Sequence, residues 1–314
     1  MHSVDLWWAA DPEAYHAVSS ATEEAAMTHH TLELPEVDLV YDVHGPLPTA
    51  DGRPPLMMIG QPMDASGFQA QVALFPDRTV VTYDPRGLGR STRKDGEATN
   101  EPETQAEDVH AVIEALGAGP VDMFASSGGA VTALALVTAH PDDVATLVAH
   151  EPPLDCVLPD AEAVQRARDA YTRVYQEKGW GAGMAGFVAM TSWEGEVTEE
   201  YLARPAPDPA AFGMHTDDDG RRDDPLLSER SWAVTAYRPD LEALRASPTR
   251  IVIAVGEESR KVYTGRSAIA LAEQLGQEAT VFPSHHGGFL GGEFGYAGQP
   301  EAFAATLREV LDRR

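Results

Sequence analysis

The densest chemical signal in this chain is Ala125-Ser126-Ser127-Gly128-Gly129, which follows the apolar run 121–124 and opens the amphipathic run 130–140. That is a strand, a sharp turn and a helix, with Ser127 at the turn. Small residues two before and two after a serine let the backbone turn tightly enough to lift its hydroxyl above a sheet. The usual frame is G-x-S-x-G, and Ala125 replaces its first glycine, a small-for-small change. A serine hydroxyl becomes a nucleophile when a base takes its proton and a third group holds the base in the right tautomer. Two preorganised N–H donors must also meet the oxyanion that forms. A lone histidine such as His30, His44 or His215 is ordinarily a satisfied surface residue, so the partners of Ser127 must be sought through the elements that bring chain ends together.

Those elements alternate. Strand-like runs at 79–84, 120–125, 144–150, 250–255 and 279–282 interleave with helical runs at 102–117, 128–140, 264–275 and 300–313. This predicts an α/β fold with a mostly parallel sheet and helices on both faces. Residues 31–34 and 37–44 alternate like a hairpin at a sheet edge, and 55–60 reads as the first buried strand. From 154 to about 243 the alternation stops, and helices are expected at 160–178, 181–190, 198–204 and 226–237. The expected organisation is a core over 31–152 and 245–314, an inserted helical cap over 153–244, and a helical arm over 1–30 carrying Trp7 and Trp8. That arm has an alternative reading, as an extension upstream of a domain that begins near Met27.

The run Asp84-Pro85-Arg86-Gly87-Leu88-Gly89-Arg90-Ser91 closes the strand one helix upstream of Ser127. With the serine turn, it resembles the α/β-hydrolase superfamily, whose fourth strand commonly ends in D-x-R-G-x-G-x-S. The resemblance implies the α/β-hydrolase fold and a base after the last strand, where His285-His286-Gly287-Gly288-Phe289 stands. Family members often read G-H-G-G-F or D-H-G-G-F there, which favours His286 as the base. The first oxyanion donor would be the N–H of Gly128. The second would come from Ile59-Gly60-Gln61-Pro62, which resembles the family's H-G-x-P segment, and this makes Gln61 the donor because Pro62 has no N–H. Gln61 also stands where haloalkane dehalogenases hold a halide-binding asparagine, but their nucleophile is aspartate and Ser127 argues against that chemistry.

The family most often places its acid three residues after the glycine ending the penultimate strand. Gly256-Glu257-Glu258-Ser259 puts serine there, so Glu257 or Glu258 could act only from a shifted turn. The other candidate is Glu151 in His150-Glu151-Pro152-Pro153, at the end of the strand after the serine helix. Haloalkane dehalogenases and fungal zearalenone lactonases carry an acid at that earlier strand end. The lactonases are the more similar, pairing an S-S-G turn with H-E-x-P as Ser126, Ser127, Gly128 and His150, Glu151, Pro153 do here. Glu151 is therefore the expected acid and Glu258 the alternative, since both strand ends lie on one rim of a parallel sheet. Trp180, Met184, Phe187 and Trp193 are candidates to line an apolar pocket under the cap.

Composition narrows the partners. Fifty acidic against 23 basic residues give a net charge of −27, a field that repels phosphate backbones and anionic lipid surfaces. Nucleic-acid and membrane partners are not expected. No apolar run approaches a membrane span, and the N-terminus shows no basic start or hydrophobic signal core, so the expected location is cytoplasmic. The single cysteine, Cys156, excludes an intrachain disulfide and reads as a core-filling residue. The G-x-G-x-x-G string at 181–186 follows a polar helix and not a strand, so a nucleotide site is not expected. The string from His215 to Gly220 lacks the end carboxylates of a calcium loop. Neither a cofactor nor a metal is expected. The reading is a cofactor-free serine hydrolase acting on a small carboxylic ester or lactone through an acyl-enzyme. The alternatives are a non-hydrolytic binding or lyase-like protein of the same fold, and a perhydrolase or acyltransferase using the same triad.

Overall fold

The computed structural model of the chain describes residues 27–313. Nine strands form one sheet: β1 (Met27–Glu33), β2 (Val37–His44), β3 (Leu56–Gln61), β4 (Val80–Tyr83), β5 (Thr92–Arg93), β6 (Val121–Ser127), β7 (Val144–His150), β8 (Arg250–Gly256) and β9 (Thr280–Phe282). Their order is β1-β2-β4-β3-β6-β7-β8-β9, with β5 paired to β2. Pairs among β3, β4 and β6–β9 are parallel, and β2 is antiparallel to both neighbours in that order. This is the expected mostly parallel α/β sheet.

The hairpin begins earlier than expected. Met27–Glu33 pair residue by residue with Asp38–His44, so residues 27–30 are strand and the expected boundary at 30 falls inside β1. The rest of the expected arm, with Trp7 and Trp8, lies outside the described residues.

Side chains alternate across β3: Met57 and Ile59 join the core on one face, while Leu56 and Met58 join the core on the other. The first face is covered by α2 (Pro102–Leu116), α3 (Gly128–Ala139) and α9 (Tyr263–Gln274), which contribute Val109, Leu134 and Leu271. The second is covered by α10 (Pro300–Asp312), with Phe303 and Leu307 buried, beside the short α1 (Gln69–Ala73). Because both faces are dry, the strands read as continuous apolar runs.

The D-x-R-G-x-G-x-S segment is a clasp for the end of β4. Asp84 accepts N–H bonds from Ala65 (3.0 Å) and Arg90 (2.8 Å), and Arg86 makes two 2.6 Å bonds to the buried carboxylate of Asp108 on α2. Ser91 donates to the carbonyl of Asp84 at 2.7 Å and accepts from the N–H of Val40 at 2.9 Å. Gly89 has φ +52°, and a Cβ there would stand 2.7 Å from the Asp84 carboxylate.

Between β7 and β8 the chain is helical: α4 (Ala161–Lys178), α5 (Trp180–Thr191), α6 (Glu199–Leu202), α7 (Trp232–Ala236) and α8 (Leu241–Ala246). The glycine-rich string lies inside α5 and serves helix-to-helix contact. A Cβ on Gly183 or Gly186 would meet the Cβ of Tyr175 or Tyr171 on α4 at 2.5 Å. No helix among the described residues is long and apolar enough to cross a membrane.

Candidate functional site

The rim at the C-terminal ends of the parallel strands gathers the expected residues. β3 ends in Gln61, β6 in Ser127, β7 in His150 followed by Glu151, and β8 in Gly256. Open α/β sheets place their ligand crevices at this rim.

Ser127 has φ 57° and ψ −128°, backbone angles that a non-glycine residue rarely adopts. Strain of this kind costs on the order of 1–3 kcal/mol and persists only where its surroundings enforce it. The enforcement is visible in Gly129: a Cβ there would lie 2.7 Å from the Cα of Gly60 and 2.8 Å from the carbonyl of Ile59. Only a glycine lets α3 start this close to β3. Ala125, in the first small-residue slot, is wholly buried and registers with Ile59 and Ala149, so its methyl is accommodated within the sheet.

Glu151 is the second non-glycine residue at this rim with positive φ, 49°. Its carboxylate is completely buried and fully engaged. Oε1 accepts the N–H of Gly256 at 2.8 Å, while Oε2 accepts the hydroxyl of Thr264 at 2.6 Å and lies 2.6 Å from Nδ1 of His286. Burial by itself would raise this carboxyl, but the His286 imidazole, with help from His150 and Thr264, draws it down to about 2. Glu151 therefore stands as a carboxylate, and the ring nitrogen facing it must carry the proton of that bond, which makes Nε2 the basic nitrogen of the neutral His286 ring.

The other carboxylate considered, Glu258, is solvent-exposed with Glu257 in a 3-10 turn, where its backbone N–H bonds the carbonyl of Ser284. Of the two histidines, His285 lies against Tyr296 at 4.2 Å with its ring tilted by 38°, and accepts the N–H of Gly287 through Nδ1. Burial pushes its imidazole below the ordinary histidine range.

Three features of this rim were not legible beforehand. Thr264 reaches Glu151 from α9 with no local signature. His150 is entirely buried, with Nδ1 3.2 Å from the hydroxyl of Ser126 and Nε2 3.9 Å from Glu151; its ring stacks beside that of His286 at 5.9 Å. Burial among Phe124, Phe282, Phe289 and Phe303 pushes its imidazole down to about 4. Val234 on α7 is the third: its Cγ1 would be 3.2 Å from a Cβ on Gly128, which brings the helical segment over the start of α3.

The expected oxyanion residues are adjacent. Gln61 and Ser127 are register partners in neighbouring strands, and a Cβ on Gly128 would lie 3.1 Å from Cβ and O of Gln61. The expected pocket residues find partners within the helical segment itself. Trp180 donates to Asp224 at 3.0 Å, Met184 is wholly buried, Phe187 meets Tyr171 edge-on at 5.8 Å, and Trp193 lies against Tyr201 at 5.0 Å.

Away from the rim, His110, His140 and Asp143 place possible ligand atoms within 4.8 Å of one another. The two imidazoles are stacked at 3.7 Å and 7°, so their in-plane lone pairs lie in separate parallel planes and one ion cannot occupy both. His110 is 2.7 Å from Asp143 and His140 2.9 Å from Glu107, so ring–carboxylate contacts account for the arrangement. Cys156 is half-buried, with its sulfur 3.5 Å from the carbonyl of Tyr237, and burial raises its thiol.

Comparison with known proteins agrees with this architecture. A family model described as alpha/beta hydrolase fold matches residues 63–177. The chain is 29% identical over 295 residues to the uncharacterized hydrolase YraK of Bacillus subtilis (strain 168), covering 90% of this chain and 96% of that one. Among solved structures, a thermophilic esterase from Thermogutta terrifontis is similar with a TM-score of 0.56 at 22% identity, over 91% of this chain and 98% of the other. Est816, described as an N-acyl homoserine lactone degrading enzyme, is similar with a TM-score of 0.58 at 20% identity, over 89% and 99% of the two chains. With its strand order, its serine turn at positive φ and this matched family model, the chain has the α/β-hydrolase fold.

Proposed function

We propose that this protein is a serine hydrolase of carboxylic esters or lactones, in which Ser127 attacks the carbonyl and His286 moves its proton. The observation that carries the reading is the 2.6 Å contact between Glu151 and His286 on the rim where Ser127 is held in a left-handed conformation. Glu151 keeps the Nδ1 proton of His286 in place and offsets the charge of the imidazolium. Nε2 of His286 then takes the Ser127 proton as the Oγ–carbonyl bond forms. The N–H groups of Gly128 and Gln61 hold the oxyanion. His286 returns the proton to the departing alkoxide, and a water molecule, deprotonated by the same imidazole, releases the acyl group from Ser127.

A lactone substrate is favoured by two motif likenesses, the Ser126-Ser127-Gly128 turn and the His150-Glu151-x-Pro153 strand end, and by Est816, which has this fold. In that case both halves of the substrate leave as one hydroxy acid.

The test is intact-mass spectrometry after a fluorophosphonate, with hydrolysis of short p-nitrophenyl esters alongside. One adduct lost in Ser127→Ala, with turnover lost in parallel, is expected. Folded protein that takes no adduct would remove the nucleophile and with it the reading.

A further inference from the structure

Gln61 is only 4% exposed, and neither Nε2 nor Oε1 of its buried amide has a hydrogen-bond partner among the described residues. A primary amide left unpaired in a dry site is costly, on the order of 1–3 kcal/mol per lost group. An apolar side chain of similar length would avoid that cost. The amide also lies at the rim already described: Gln61 is the register partner of Ser127, and its Cβ abuts Gly128 beside Val234.

From this geometry we infer that the amide of Gln61 is a specificity determinant that recognises a carboxamide-type group on the acyl part of the substrate, such as a primary amide or a lactam. The inference rests on the hydrolase reading above. Nε2–H and Oε1 lie on one edge of a planar group, so the complementary partner presents an acceptor and a donor on one edge as well. A primary amide or lactam does this; an ordinary ester or alkyl chain does not. The amide carbon of Gln61 stands three bonds beyond its Cα. With the backbone N–H of the same residue on the oxyanion, the matching group belongs on a short acyl chain close to the scissile carbonyl. Gln61 would thus hold the carbonyl with its backbone and sort acyl chains with its side chain.

Three methyl esters of nearly equal shape test this: methyl succinamate, methyl 4-oxopentanoate, in which methyl replaces the amino group, and methyl 4-methylpentanoate, which has neither donor nor acceptor. The parent protein is expected to prefer the succinamate over the alkyl ester by about 10- to 100-fold in kcat/KM, with the ketone between them. In Gln61→Met that preference should collapse to about twofold, and the variant should melt no lower than the parent because it loses two unpaired buried atoms. Turnover of all three esters without preference, a preference that survives in Gln61→Met, or a marked fall in melting temperature of that variant would each overturn the assignment while leaving the hydrolase intact. If no ester is turned over and no fluorophosphonate adduct forms, both readings fail together.

Discussion

Glu151 and His286, 135 residues apart, meet through a 2.6 Å contact between Oε2 and Nδ1, and the chain bends into positive φ at Glu151 to make it. A carboxylate at the end of β7 thus reaches a histidine that follows β9, across the intervening β8. The N–H of Gly256 at the end of β8 fixes the other oxygen of the same group. One carboxylate therefore ties three strand ends together.

Replacing that carboxylate separates it from its rival. Glu151→Gln should lower kcat for ester hydrolysis by on the order of 10⁴-fold, because an amide no longer enforces the productive tautomer. Glu258→Gln, altering an exposed turn, should stay within about twofold of the parent. Steady-state kinetics on a p-nitrophenyl ester decide between them, and the opposite ranking would transfer the role to Glu258.

The same group has a stability signature in acid. Its folded value of about 2 lies below the ordinary 4.5, so its contribution is complete above about pH 4.5 and disappears as pH falls through about 2. The amount is roughly 3 kcal/mol. Urea unfolding of parent and Glu151→Gln at pH 6, 4 and 3 should show their difference shrinking toward the acid end. A constant difference would mean that the charge of Glu151 adds no stability.

His150 acts in a higher window. Held neutral at about 4 against an ordinary 6.5, it makes the folded state bind fewer protons than the unfolded one between those values. Stability should accordingly rise with pH from 4 to 6.5, by a few kcal/mol in total. Glu151, His286 and His285 bear on the same ring electrostatically, so the diagnostic is the change in slope. In His150→Phe, whose ring suits the phenylalanine cluster around this site, melting temperature between pH 4 and 6.5 should vary less than in the parent. An unchanged slope would exclude His150 as its source.

The serine turn should respond to glycine in opposite ways at two adjacent sites. Ser127→Gly relieves the φ of 57° and should stabilise the fold by about 1 kcal/mol while abolishing turnover. Gly129→Ala drives a methyl into Gly60 and Ile59 and should destabilise by about 1–3 kcal/mol. Chemical denaturation reads both, and a neutral Gly129→Ala would show that α3 can retreat from β3.

Packing glycines in the helical segment make a further prediction. Gly183→Ala should destabilise by about 1–3 kcal/mol, because the added methyl must displace Tyr175. A thermal melt suffices, and full stability with unchanged near-ultraviolet circular dichroism would show that α4 and α5 have room to separate.

What the sequence determined by itself is what short-range physics controls. The turn at Ser127 follows from small residues flanking a strand-to-helix junction, where backbone sterics admit few conformations. The sheet and its helices follow from apolar runs and their spacing, and the strand end at Asp84 from the Gly/Pro turn that follows it. Even the position of Glu151 at a strand end was readable. The tertiary structure alone decided which carboxylate meets His286, that Thr264 and the N–H of Gly256 complete its bonds, that His150 lies dry beneath it, and that the hairpin starts at Met27. It also turned the glycine string of α5 into a contact with α4 and left the amide of Gln61 unpartnered beside Gly128. Those relationships join residues on separate strands and helices, often more than 100 positions apart. Strand order and side-chain direction at the rim create them, and no local pattern in the chain encodes either.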